Sequence, residues 1–188
     1  MKIKVITSYK PGCWNLYAKK GIESMAEQFP KEIDIVVYAE EPKPECKYDR
    51  IQWIDLNTAE PELVKFKNKH KNDPVANGEL EEIEGGVRRP AELQVKGGND
   101  KNKGSFLWAA VRFANKVFCV VNAIRNSEEY DYVVWIDGDT FSFRPIPMSF
   151  FEQLLPQDTM LTYLGRENPK LNDGGKYPEC GFVGYNLN

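Results

Sequence analysis

The chain has 188 residues, 41% hydrophobic and 28% charged, with a formal net charge of −3. It is long enough to bury a core in one domain, and its slight acidity argues against a general nucleic-acid-binding surface, which needs clustered positive charge. Four dispersed cysteines (Cys13, Cys46, Cys119, Cys180) and a lone His70 argue against a zinc cluster.

Lys2 to Ser8 reads as a first strand, apolar at Ile3, Val5 and Ile6 and ended by Pro11-Gly12. In open α/β sheets ligands bind at the carboxyl ends of strands, so Thr7, Ser8 and Tyr9 lie where a base or phosphate would be contacted. Leu16 to Phe29 carries apolar or small residues at 18, 22, 25, 26 and 29, which is helical spacing, and Pro30 stops it. Ile33 to Ala39 is a second strand with a Pro-rich exit, Glu41 to Glu45, and Ile51 to Leu56 a third. Strand, helix, strand in that order predicts a parallel sheet with both faces covered.

The character changes from Asn57 to Gly104. Glu62 to Lys71 is a short helix carrying Leu63, Val64 and Phe66. Asp73 to Lys103 is polar and glycine-rich, as functional lids and disordered segments are. Arg88 and Arg89 read as a solvated loop face, and His70 as a surface residue. A long helix is expected from Ser105, as N-cap, to Asn126. Its stripe Phe106, Ala110, Phe113, Val117, Val121, Ile124 adjoins a second, Leu107, Val111, Ala114, Phe118, which predicts burial over most of its girth. Arg112 and Lys116 share one face, with no acidic residue in the helix. They either snorkel to water or project into a site.

Tyr132 to Ile136 is a continuous apolar run, typical of a strand buried on both faces, and it breaks into Asp137-Gly138-Asp139. In extended backbone, residues two apart point the same way, so both carboxylates would converge on one ligand. Gly138, without a Cβ, would let a bulky polyanion approach. A hard divalent cation suits such a pair. The other reading is turn chemistry, with Asp139 capping the next element of the chain. Arg144-Pro145-Ile146-Pro147 then turns the chain, Met148 to Leu155 is a short helix, and Thr159 to Leu164 a further strand. Gly181 and Gly184 around Phe182-Val183 indicate a last strand that another group approaches closely. A metal flanked by cations suits a diphosphate leaving group, whose developing charge both absorb.

Tyr132-Val-Val-Trp-Ile-Asp-Gly-Asp-Thr-Phe resembles the Asp-x-Asp strand of nucleotide-sugar-dependent glycosyltransferases of the GT-A fold. Arg112-Phe-Ala-Asn-Lys-Val-Phe118 resembles the helix that precedes that strand in a subset of them, and Glu179 to Asn186 their later acceptor-side strand. The resemblance implies one α/β domain over residues 1–188, a three-layer sandwich with a mainly parallel central sheet between helices and a polar loop at about 72–104. It implies a sugar passed from a nucleotide-diphosphate donor to an unknown acceptor (glycan, lipid or protein), with Mn²⁺ or Mg²⁺ held by Asp137 and Asp139. Asp137 would lie nearer the ribose. Thr7, Ser8 and Tyr9 would line the nucleotide pocket, Tyr38-Ala39-Glu40 would close it, and Arg112 and Lys116 would face the diphosphate or sugar. Glu179 would be the catalytic carboxylate, or else a rim residue with a structural hydrogen bond.

Such proteins commonly supply a further metal ligand, often histidine, beyond the acceptor strand. This chain ends first, so a fragment or shortened form is expected. The alternative function is therefore a non-catalytic nucleotide-sugar-binding module. A phosphatase of the haloacid dehalogenase type ranks lower, because Phe141 stands where its pattern needs Thr or Val. A sugar nucleotidyltransferase lacks its Gly-rich loop at Thr7 to Trp14. With no signal peptide, no apolar run near the roughly 20 residues of a membrane span and no evident disulfide framework, a cytoplasmic protein is expected.

Overall fold

The computed structural model describes residues 1–73, 76–77, 81–83, 86–88, 109–167 and 176–188; side chains are described for these except 81–83, 86–88, 166–167 and 176–179. The chain forms two compact units, Met1–Ala59 with Cys119–Asn188, and Glu60–Phe118.

The first unit is built on a six-stranded sheet. Strands β1 (Ile3–Ser8), β2 (Asp34–Ala39) and β3 (Ile51–Asp55) run parallel, and β6 (Tyr132–Ile136) joins β1 in parallel on its other side. The long last strand β8 (Lys176–Asn186) pairs antiparallel with both β6 and β7 (Leu161–Glu167), giving the order β3-β2-β1-β6-β8-β7. The apolar runs behave as their composition predicts, since a strand covered on both faces has no solvent side to mark with polar residues. Ile3, Val5, Ile35, Val37, Val134 and Ile136 fill one face, packed with α1 (Lys19–Gln28) and α5 (Met148–Leu154). Ile6, Val36 and Val133 are buried on the other. Lys4, the one charged residue of β1, donates from Nζ to Asn126 O at 2.7 Å, and its burial lowers its pKa.

Several elements depart from their expected bounds; β7, for one, runs Leu161–Glu167 and not Thr159 to Leu164. The first helix opens with a π-helical turn, Trp14–Ala18, before α1 begins at Lys19. A single turn, α2 (Leu56–Ala59), follows β3 directly, where Asp55 accepts from the amides of Asn57 and Thr58. The long helix α4 runs Ala110–Arg125 and not from Ser105, which lies outside the described residues with Phe106 and Leu107. Nor is α4 buried over most of its girth. In its C-terminal half the small residues Cys119, Val120 and Ala123 are buried, while Val117 (59%) and Ile124 (37%) are exposed, as is Phe113 (39%). Cys119, Val120 and Ala123 belong to neither expected stripe: small side chains let a helix lie close to its neighbour, and the periodicity of the larger apolar residues does not mark that side.

The second unit contains α3 (Pro61–His70), with Leu63 fully buried and Pro61 at the first helical position, where its missing amide costs nothing. Within the expected polar loop, β4 (Glu81–Ile83) and β5 (Gly86–Arg88) form a two-stranded antiparallel hairpin. Arg89 and the remainder of that loop up to residue 108 lie outside the described residues. No helix among the described residues is long and apolar enough to cross a membrane.

Candidate functional site

Strand order locates the site before any side chain is considered. From β1 the sheet grows one way through β2 and β3 and the other way through β6, so the switch point lies between β1 and β6. Loops leaving the carboxyl ends of two such strands diverge and open a crevice, where ligands bind in open α/β sheets. Ile6 pairs with Trp135, which brings the exits Thr7-Ser8 and Asp137-Gly138-Asp139 side by side.

Asp137 to Thr140 is a turn, closed by Thr140 N donating to Asp137 O at 2.9 Å. The alternation expected from extended backbone therefore stops at Asp137, and no helix begins until Met148, so Asp139 caps none. Asp137 is half-buried and Asp139 exposed. Two bonds hold Asp137: its amide donates to Gly181 O of β8 at 3.0 Å, and its Oδ1 accepts from the indole Nε1 of Trp135 at 2.5 Å. Both carboxylate residues border one pocket of about 490 Å³ within this unit.

Gly138 sits where no side chain fits. A Cβ there would lie 2.6 Å from Ser8 O and 3.4 Å from the Thr7 hydroxyl. The close approach that Gly138 allows in this fold is that of β1. Thr7 is fully buried beside it, with a hydroxyl that has no hydrogen-bond partner.

The other residues singled out in the sequence divide in three ways. Tyr9 turns inward, 5.7 Å from the Trp14 ring, and burial, then the Glu41 carboxylate, raise its pKa above the usual phenol value. Tyr38 is buried and donates its hydroxyl to Asn122 Oδ1 of α4 at 2.9 Å, a bond that ties helix to sheet. Glu41, one residue beyond the segment expected to close the pocket, does fasten the β1 exit: it accepts from Gly12 N at 2.7 Å, and Gly12 holds a left-handed φ of +76°. Arg112 and Lys116 belong to the second unit, the former exposed and the latter half-buried, and both engage other groups. Glu179 pairs through its backbone with Leu164, two residues before the Gly181 carbonyl that Asp137 contacts; its side chain is not among those described. Between Tyr163 and Leu164 the β7–β8 register jumps from Val183 to Glu179. This bulge lies beside the turn, and bulges bend a strand where a site needs side chains re-aimed.

Three residues of this region carry no signal in the sequence that marks them as part of a site. Trp135 reads as one more core residue of an apolar strand, yet its indole orients Asp137. Ser24 on α1 donates to Gly21 O at 2.7 Å and accepts from Ser142 N at 2.9 Å, fastening the segment after the turn to the helix. Lys20 places Nζ 3.8 Å above the Phe141 ring, which puts a cation next to the acidic turn within the same unit. A larger cleft of about 690 Å³, lined in part by Arg50, adjoins the pocket of the acidic turn and shares Phe29 and Ile146 with it. That guanidinium donates to the carbonyls of Ala26, Phe29, Pro30 and Ile33, so it serves the end of α1 and the turn after it.

No group of three or more His, Cys, Asp or Glu among the described residues is placed to hold a metal. Asp137 and Asp139 are the two carboxylate residues that border the pocket. Such a set fits Mg²⁺ or Mn²⁺ when ligand phosphates and water complete the shell.

No protein-family model matches the chain, and no curated protein matches it in sequence. Among solved structures it is similar to mouse xyloside xylosyltransferase 1 in its apo form (TM-score 0.46, 13% identity), with 98% of this chain and 66% of that one covered. It is also similar to the apo structure of WbbM, a bifunctional glycosyltransferase (TM-score 0.47, 13% identity), with 98% of this chain and 31% of that one covered. The chain thus spans about two-thirds of the first structure and under a third of the second.

Proposed function

We propose that this chain is a glycosyltransferase that takes its sugar from a nucleotide-diphosphate donor, with Mn²⁺ or Mg²⁺ held by Asp137 and Asp139. The observation that carries the reading is the position of the acidic turn. Asp137-Gly138-Asp139 sits at the carboxyl edge of β6, packed on the exit of β1, at the switch point of the sheet. A two-carboxylate set that needs phosphate oxygens to complete a metal shell suits a donor that brings a diphosphate. With Thr7 fully buried, Ser8 at the β1 exit is the proposed nucleotide contact. Lys20, beside the turn in the same unit, is the proposed diphosphate contact.

In the transfer, the acceptor hydroxyl oxygen bonds to the anomeric carbon while the bond from that carbon to the phosphate oxygen breaks. The electron pair leaves with the nucleoside diphosphate, and the hydroxyl proton passes to a carboxylate, which we assign to Glu179 on β8. Bound metal supplies charge stabilisation for the departing diphosphate.

Calorimetry with UDP- and GDP-sugars, with and without Mn²⁺, tests the reading, followed by a product assay that also scores donor hydrolysis. Metal-dependent binding and release of nucleoside diphosphate are expected. Binding without any turnover identifies a nucleotide-sugar-binding module, and no binding to either donor overturns the proposal.

A further inference from the structure

The pocket of about 490 Å³ that Asp137 and Asp139 border is two-faced. The rest of its lining is mostly apolar and includes four phenylalanines: Phe29 and Phe150 each meet Phe151 edge to face, at ring separations of 5.3 and 5.8 Å, with Phe182 beside Ile136 across the β6–β8 pairing. Phe151 and Phe182 are buried, whereas Phe150 is 41% exposed, so one ring of the cluster presents its surface to an incoming molecule. A concave site that is mostly apolar, with a few polar groups at one side, is the usual form of a small-molecule pocket. An apolar cavity of about 150 Å³ holds a benzene ring, so this one has room for such a ring and a sugar besides.

From this geometry we infer that the pocket takes a sugar carrying an apolar aglycone, aryl or short alkyl. The aglycone lies on the phenylalanine cluster and the sugar hydroxyls face the acidic turn. Burying either end the other way round is costly: hydroxyls against Phe151 and Phe182 lose their hydrogen bonds, and an apolar group against Asp137 and Asp139 strips water from carboxylates. A hydroxyl-rich head suits this wall better than a cationic one. Asp137 Oδ1 already accepts from Trp135, and the hydroxyls of Thr140 and Ser142, which also border the pocket, donate as well as accept; sugar hydroxyls use both capacities, whereas an ammonium only donates. That this glycoside is the acceptor rests on the transferase reading; that it binds does not.

The test is a titration of the whole chain, without nucleotide or metal, by phenyl and octyl glycosides of glucose, galactose and xylose, each against its free sugar. At least one glycoside is expected to bind about tenfold more tightly than its sugar. Tighter binding of the phenyl series identifies an aromatic aglycone and of the octyl series a lipid-like one. Phe150→Ala removes a half-exposed ring, leaves the fold intact by circular dichroism and abolishes the advantage. Phe143→Ala, at a residue 80% exposed and outside the pocket, keeps it. Equal affinity for glycosides and free sugars, an advantage that survives Phe150→Ala, or tighter binding of benzylammonium than of any glycoside overturns the inference. Failure here leaves nucleotide binding to be judged by its own titration. Glycoside binding without nucleotide binding would keep the pocket and remove the transferase.

Discussion

Gly21 of α1 and the turn glycine Gly138 meet backbone to backbone. A Cβ on Gly21 would collide with the Gly138 carbonyl oxygen and stand 2.8 Å from that of Thr140. With Gly138 itself pressed on Ser8 O, the acidic turn is clamped between a helix and a strand by two residues that lack side chains. A turn held this way has its backbone placed before any ligand arrives, which is what a pre-organised cation site requires.

Gly21→Ala measures the clamp. In an open helix the change would stabilise by about 1 kcal/mol, because glycine is the weaker helix former. Here the obstacle is main chain and cannot rotate away, so we expect a net loss of about 1–3 kcal/mol in urea denaturation. An unchanged or raised midpoint would show that α1 and the turn separate freely.

Asp139→Ala separates chemistry from stability. The residue is exposed, and its loss should alter unfolding free energy by no more than about 0.5 kcal/mol. Nucleotide with Mn²⁺ should raise the melting temperature of the parent and not of the variant. Equal stabilisation of both would remove Asp139 from the metal site.

Trp135→Phe addresses orientation. The ring volume is largely kept, but Asp137 loses its indole donor. Outer hydrogen bonds to metal ligands are worth about tenfold or more in affinity, so Mn²⁺-dependent nucleotide binding should weaken by about that factor. The accompanying stability loss should be about 1.5–3 kcal/mol, as for other bonds to a charged group. Unaltered affinity would make the Trp135 bond purely structural.

Tyr38→Phe is the counterpart at a residue the sequence placed near the nucleotide. Its hydroxyl is committed to Asn122, which also donates to Ala59 O at 3.4 Å. We expect a loss of about 1 kcal/mol in stability and the parent's affinity for nucleotide. A variant of full stability with impaired nucleotide binding would return Tyr38 to the pocket.

Much of this molecule was legible along the chain, for reasons that are local. Unbroken apolar runs at Ile33 to Ala39 and Tyr132 to Ile136 admit little but strands covered on both faces, and their polar ends mark the sheet edge where Asp137 lies. The bounds of α4 and its buried side were less legible, because the small residues Cys119, Val120 and Ala123 that pack inward lie outside both apolar stripes, and only packing reveals that side. Contacts between distant segments left no periodic trace at all. Ser24 meets Ser142 across 118 positions, Trp135 turns an apolar side chain's nitrogen to a carboxylate, and Gly21 reads as a flaw in a helix until Gly138 is set against it. By itself, then, the sequence determined the strands of the six-stranded sheet, though not the β4–β5 pair, and the acidic motif with its place at a strand end, since these derive from side-chain chemistry and spacing. Tertiary structure alone decided that the motif is a turn at the β1–β6 switch point, clamped by glycines and bordering a mostly apolar pocket. Close approach depends on what the other segment presents, and no local pattern records that.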